Sequence, residues 1–300
     1  MPKTKEIKYA IDSELLPYCR TVPSIPKWIV PFMQQMLRMA GKKALQDDRV
    51  EIKRFGLNNG VEMIMIKPQN SPTKKVVYDI HGGGFVFPHA PYHLELAKEY
   101  AIRLDAKVFL IDYRLAPKYQ YPAAPDDCFV GFEFLYENRE TLDIDIENIV
   151  IGGDSAGGFL AVDTTLRMHK KYGFTPKGNF LMYPALDTRK DTESMIKYTD
   201  TPLCNSRDAE MYDGWFNNGE CITVMNEDLS VMPKTYIEVA EVDCLRDCGI
   251  MYADHLQELG IETELHDVTA TMHGFDSALN AKITRDCVEN RIRFIKTLLD

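Results

Sequence analysis

The sequence predicts an α/β fold in which a mostly parallel central sheet carries helices on both faces. Three observations lead there. From Val76 onward, apolar runs of strand length alternate with segments of helix length, the rhythm of βαβ units whose strands are buried on both faces. Two glycine-rich clusters, His81-Gly82-Gly83-Gly84-Phe85 and Gly153-Asp154-Ser155-Ala156-Gly157, each follow one of those apolar runs. A chain of 300 residues with 45% hydrophobic content can bury one large core, alone or with a small appendage.

Met1 to Glu6 carries charge with no apolar run behind it, so no cleaved secretion signal is expected. Ile29, Phe32, Met33, Met36, Leu37 and Ala40 recur at helical spacing, and Gly41 offers a stop. This amphipathic helix reads either as ordinary packing or as a lid over a substrate pocket, where pliable methionine suits varied ligands. Val50 to Leu57 and Val61 to Ile66 flank Asn58-Asn59-Gly60, a turn tolerant of positive φ, and so predict a hairpin. Strands follow at Val76 to Ile80, Val108 to Ile111, Ile149 to Ile151, Phe180 to Tyr183 and Tyr236 to Val239. Helices near 94–104, 127–138, 156–170 and 249–259 alternate with them.

Ile261 to Val268 adds a last strand. Ser277 to Leu299, with Val288, Ile292, Ile295 and Leu299 at helical spacing, adds a closing helix that packs on the sheet or on another subunit. Between Asp187 and Met232 the rhythm lapses into polar, irregular sequence holding Trp215 and Phe216. A connection of that length inside a compact domain is usually functional or has structure of its own. The expected division is residues 1–45 as the N-terminal part of a cap, 46–186 as core, 187–232 as the second, inserted part of the cap, and 233–300 as core.

The charge balance of 35 basic and 45 acidic residues, net -10, repels phosphate backbones and anionic lipid surfaces, so neither nucleic acid nor stable membrane association is expected. No apolar run approaches the roughly 20 residues a bilayer needs. Seven dispersed cysteines fit reduced thiols in a cytoplasmic protein. Cys244 and Cys248 sit four apart, but no second Cys or His pair accompanies them, and no metal is expected.

The second glycine cluster fits the nucleophile elbow Gly-x-Ser-x-Gly. Asn148-Ile149-Val150-Ile151 reads as the strand entering it and Gly158-Phe159-Leu160-Ala161-Val162 as the helix leaving it, the setting that lifts a serine hydroxyl above a sheet. The first cluster presents amides uncluttered by side chains, suited to a phosphate or to an oxyanion. It lacks the Lys-Ser/Thr ending of a P-loop and the order of a dinucleotide site, which favours the oxyanion. The Ala156 amide, at a helix start just after the serine, adds a donor.

These clusters, with Asp112-Tyr113-Arg114-Leu115-Ala116-Pro117 and Pro122-Ala123-Ala124-Pro125-Asp126-Asp127, resemble the hormone-sensitive-lipase family of α/β-hydrolases, in its bacterial carboxylesterase branch, over roughly Val76 to Leu299. The resemblance implies Gly83, Gly84 and Ala156 as the oxyanion hole, with His81 bracing the glycine loop. It also implies a base downstream of the nucleophile, open to His169, His255, His266 and His273. His273 matches the family's His-Gly-Phe and follows a strand, whereas the other three sit in helix or strand patterns. Asp243 aligns with the family's acid in an Asp-x-Leu-Arg-Asp motif, with Asp247 and then Glu241 as alternatives. The chain departs from the pattern at Cys244, where proline is usual, at Cys248, where glutamate is common, and at Phe159, where asparagine often follows the elbow.

The expected protein is therefore a serine carboxylesterase with Ser155 as nucleophile, His273 as base and Asp243 as orienting acid, needing no cofactor. Its expected partner is a small, short-chain acyl ester. Phe85, Phe87, His89 and Tyr183 stand as pocket residues or as packing. A catalytically silent receptor of the same fold, an amidase and an acyltransferase are the competing readings; the presence of His273 counts against the first. An unperturbed histidine titrates at about 6.5, so activity is expected to fall on acidification through that region. Monomer and homodimer both stay open.

Overall fold

The computed structural model describes residues 8–19 and 25–300; Met1 to Glu6, read above for a secretion signal, lies outside them. The apolar runs pair into one eight-stranded sheet. Its strands are β1 (Val50–Gly56), β2 (Glu62–Pro68), β3 (Val76–Ile80), β4 (Lys107–Asp112), β5 (Ile149–Asp154), β6 (Gly178–Met182), β7 (Lys234–Val242) and β8 (Thr263–Met272). Their spatial order is β1-β2-β4-β3-β5-β6-β7-β8. The predicted hairpin is β1 with β2, and β2 also lies antiparallel on β4. Every other neighbouring pair is parallel.

The helices are α1 (Val30–Ala44), α2 (Pro91–Leu104), α3 (Ala123–Glu137), α4 (Ala156–Tyr172), α5 (Glu193–Lys197), α6 (Ser206–Phe216), α7 (Arg246–Glu258) and α8 (Lys282–Leu299). Two begin earlier than the apolar spacing predicts. Pro91 opens α2, its fixed φ already helical and its missing N–H not needed there, and Pro125 is accommodated in the first turn of α3 for the same reason. The closing helix begins later than predicted. Gly274 at φ 68° and a short 3-10 turn over Phe275–Ser277 come first.

Within 187–232 the polar residues are partly helix caps. Thr192 accepts from the Met195 amide to open α5, and Asn205 accepts from Arg207 and Asp208 to open α6. On α1, Met33 and Leu37 turn inward, while Phe32 and Met36 are 67% and 56% exposed. The single apolar face expected of this helix is thus divided between a cavity and solvent.

Successive residues of a strand point to opposite faces, and the central strands are apolar in both directions. Tyr78, Ile80 and Ile151 pack with α3, α4 and α7 on one side, while Val77 and Val150 pack with α2 and α8 on the other. Burying both faces fixes the sheet and leaves its edges of strand ends free to carry loops. β3, β5, β7 and β8 all end at the same edge, and to it they deliver the glycine loop, Ser155, Asp243 and His273 respectively. No helix among the described residues is long and apolar enough to cross a membrane.

Candidate active site

Ser155 stands between β5 and α4 at φ 52° and ψ -119°, a conformation costly for a side-chain-bearing residue. The sequence makes the turn possible by removing neighbouring side chains. A Cβ on Gly157 would lie 1.9 Å from the Ile80 carbonyl oxygen, so only glycine lets α4 start this close to β3. The Ser155 amide donates to the Met182 carbonyl at 2.9 Å, and its own carbonyl accepts from Ala185 at 2.9 Å, tying the elbow to the end of β6.

The His273 ring, on the turn after β8, has Nε2 2.9 Å from Ser155 Oγ and Nδ1 2.7 Å from Asp243 Oδ2. A carboxylate only accepts, so in the neutral imidazole Nδ1 donates and Nε2 turns its lone pair toward the serine hydroxyl. Asp243 is fully buried, and its other oxygen accepts from the Leu245 amide at 2.9 Å. Burial pushes His273 down, but the adjacent Asp243 charge pulls the other way and prevails, raising it to about 9. The expectation of an ordinary histidine pKa is corrected by that partner.

The alternative acids and bases are engaged elsewhere. Glu241 accepts from the Ala270 amide at 2.7 Å and Asp247 from the Ser194 amide at 2.7 Å. His255 faces Glu258, His266 stacks on Tyr236 with ring centres 4.6 Å apart, and His169 borders a separate cavity.

Gly83 and Gly84 take φ of 112° and 61° in a turn where the Gly83 carbonyl accepts from Val86 and Phe87. Asp154 holds the loop from below, accepting from the Gly82 amide at 2.8 Å while His93 Nε2 sits 3.1 Å from the same carboxylate. A Cβ on Gly82 would lie 2.4 Å from Asp154 Oδ2, which keeps that position glycine. The Gly83 and Gly84 amides have no backbone acceptor among the described residues, and Ala156, first in α4, has no carbonyl one turn before it within the helix. Gly83 and Gly84 border the same cavity as Ser155, and Ala156 follows the serine directly in the chain.

Ser155, His273, Gly83 and Gly84 border an open cavity of about 410 Å³. Of the four expected pocket residues, Phe87 and Tyr183 line it; Phe85 and His89 do not. Phe85, at φ 60°, turns down to stack on Phe216 at 3.9 Å, and His89 lies behind the glycine loop, its ring edge-on to His81. A larger cavity of about 790 Å³, walled by α4 and residues 217–231, contains none of Ser155, Asp243 or His273.

Leu203, Cys204 and Tyr212 complete the apolar wall and were not singled out in the sequence. Tyr212 packs on the glycine loop, where a Cβ on Gly84 would come within 2.7 Å of its ring. Nothing in a polar stretch marks one tyrosine as facing a loop more than 100 residues away. Beneath the site, Tyr183 donates to Asp276 at 2.9 Å and sets its ring 4.9 Å from that of His273. Fully buried Arg291 pairs with both Asp276 and Glu238.

A mostly parallel eight-stranded sheet with an elbow serine at the carboxyl end of its central strand is that of an α/β hydrolase. The family described as alpha/beta hydrolase fold matches residues 76–277, and the chain belongs to it, in the hormone-sensitive-lipase-like carboxylesterase branch. The chain is 31% identical over 218 residues to esterase LipI of Mycobacterium tuberculosis, covering 69% of this chain and 67% of LipI. It is 28% identical over 224 residues to ethyl acetate hydrolase of Pseudomonas putida, covering 69% of each. A solved bacterial heroin esterase superposes with a TM-score of 0.84 at 28% identity, covering 97% of this chain and 98% of that one. The protein is a carboxylesterase.

Proposed function

We propose that the enzyme hydrolyses small esters with short acyl chains through an acyl-enzyme on Ser155, with His273 as base and Asp243 as orienting acid. The carrying observation is the unbroken hydrogen-bonded series from Ser155 through His273 to buried Asp243 at the floor of an apolar cavity. Neutral His273 accepts the serine proton as Oγ attacks the ester carbonyl, and Asp243 stabilises the imidazolium without taking the proton. The Gly83, Gly84 and Ala156 amides meet the oxyanion, each donor lowering the barrier by about 3–4 kcal/mol. The imidazolium then protonates the departing alcohol. Water, activated by the same ring, releases the acid and restores the serine.

A cavity of about 410 Å³ enclosed largely by apolar side chains suits a compact ester, and the relative named for ethyl acetate supports an acetyl-sized acyl group. Residues 1–45 and 187–232 act as a two-part cap on a core of 46–186 and 233–300. Met33 and Leu37 from the first part and Leu203, Cys204 and Tyr212 from the second support this, since they wall the cavity opposite the sheet. Seven free cysteines support a reducing, cytoplasmic setting.

Hydrolysis of p-nitrophenyl acetate by the wild type and Ser155→Ala tests the reading. The variant is expected to lose about 10⁶ in kcat with an unchanged circular dichroism spectrum. Comparable turnover by both would remove Ser155 from the chemistry. Product analysis with competing alcohols and amides distinguishes hydrolysis from acyl transfer.

A further inference from the structure

Behind the glycine loop, on the side away from the cavity, three ligand-type side chains meet. His81 comes from the end of β3, His89 from the segment before α2, and Asp112 from the end of β4. One ligand atom from each lies within 4.8 Å of the other two. His81 and His89 are only 1% and 6% exposed. His81 Nε2 and His89 Nδ1 are both buried without a hydrogen-bond partner among the described residues. Leaving such an atom unsatisfied costs about 1–3 kcal/mol, and here two lie in one cluster.

The protonation state of His81 follows from its other contact. Nδ1 lies 2.6 Å from the Gly82 carbonyl oxygen, which only accepts, so Nδ1 carries the proton and Nε2 presents a bare lone pair. A backbone carbonyl receiving the far N–H is also the usual support of a metal-bound histidine, since it fixes the tautomer and the ring direction. Tyr113 adds to that support by stacking 4.3 Å from the ring and donating to the His81 carbonyl at 2.9 Å.

Asp112 is shared with Arg38, whose Nε and Nη2 lie 2.9 and 3.1 Å from its two oxygens. That fork uses one lone pair of each oxygen and leaves the other on each free. The Asp112 and Arg38 side chains are 14% and 34% exposed, so the carboxylate side of the cluster opens to solvent and gives an ion a way in.

We propose that His81, His89 and Asp112 form a binding site for a divalent first-row transition ion such as Zn²⁺ or Fe²⁺. Two imidazoles and one carboxylate would be completed by water. Bonds of about 2.0–2.2 Å require ligand atoms about 3.4 Å apart in a tetrahedral site, so from separations within 4.8 Å the cluster closes by up to about 1.4 Å on binding. His81 immediately precedes Gly82, and bound metal therefore stiffens the loop that carries the Gly83 and Gly84 amides. The competing occupant is a buried water bridging the same atoms.

Chelator-treated protein titrated with Co²⁺ decides between them. The site predicts one ion per chain, visible ligand-field bands without a thiolate charge-transfer band, and a raised thermal midpoint at saturation. His89→Ala is expected to weaken Co²⁺ binding by at least about 100-fold, more than losing an outer-shell partner costs, and to abolish the thermal shift. His89→Gln serves in its place should the alanine variant misfold. Absence of stoichiometric binding, binding unchanged in the His89 variant, or a thiolate band would each overturn the site.

Discussion

At the scale of single residues, the proposed mechanism makes the chemistry depend on one hydrogen-bonded ring. His273 is a base only when neutral, and Asp243 at 2.7 Å stabilises its charged form strongly enough to raise it to about 9. The sign follows directly, because a raised pKa moves the loss of the active form to higher pH. kcat/KM is therefore expected to climb by about tenfold per pH unit between pH 7 and 8 and to level near pH 9. A rate profile already flat from pH 7 upward would contradict it. Asp243→Asn removes the charge and the tautomer restraint together. It is expected to lower kcat by about 10⁴ and to move the rising limb toward the ordinary histidine range, read from the same profile.

His81 shows how two roles meet in one side chain. The resemblance gives it the bracing of the glycine loop. Its contact with the Gly82 carbonyl leaves the opposite nitrogen buried without a partner among the described residues, in a side chain that clusters with His89 and Asp112.

At the scale of elements, α1 and α6 both wall the cavity. Leu37 from α1 and Tyr212 from α6 line it together with Ser155, so under the proposed function acyl-chain choice is assigned to these walls. Leu37→Trp adds bulk where a longer acyl chain would lie. The kcat/KM ratio for butyrate over acetate p-nitrophenyl esters is expected to fall by about tenfold, with acetate turnover little changed. An unchanged ratio would move acyl selection to another wall. The sequence shows α1 as a helix because its spacing is periodic, but it does not show which apolar side turns inward. Phe32 and Met36 are as hydrophobic as Met33 and Leu37, yet only the latter pair reaches the cavity.

At the scale of the whole molecule, a buried ionic network ties the helix layer to the site. Arg291 of α8, wholly inaccessible, pairs with Glu238 of β7 and with Asp276, and Asp276 accepts from Tyr183 beside His273. Breaking a buried pair by removing one partner is far costlier than the net worth of the pair, because charges are left without compensation. Arg291→Met is expected to destabilise the protein by about 3–5 kcal/mol, measured from urea unfolding midpoints. A loss below about 1 kcal/mol would mean that Glu238 and Asp276 are satisfied without it.

Much of this molecule was determined by the sequence alone, wherever the governing physics is local along the chain. Alternation of apolar runs set the strands, and Asn58–Gly60 set the hairpin turn. Glycines at 153 and 157 marked the only kind of backbone that can bring a serine-bearing turn so close to β3. The family motifs added Asp243 and His273 in chain order, and the tertiary structure sets both within hydrogen-bonding reach of Ser155 or its partner. Packing between distant segments decided the rest. It turned Phe85 and His89 away from the cavity, brought Leu203, Cys204 and Tyr212 to it, and joined His89 to His81 and Asp112. It also set the protonation of His273, because a pKa depends on the solvent excluded and the charges gathered around a group, and those are fixed only when the sheet is assembled.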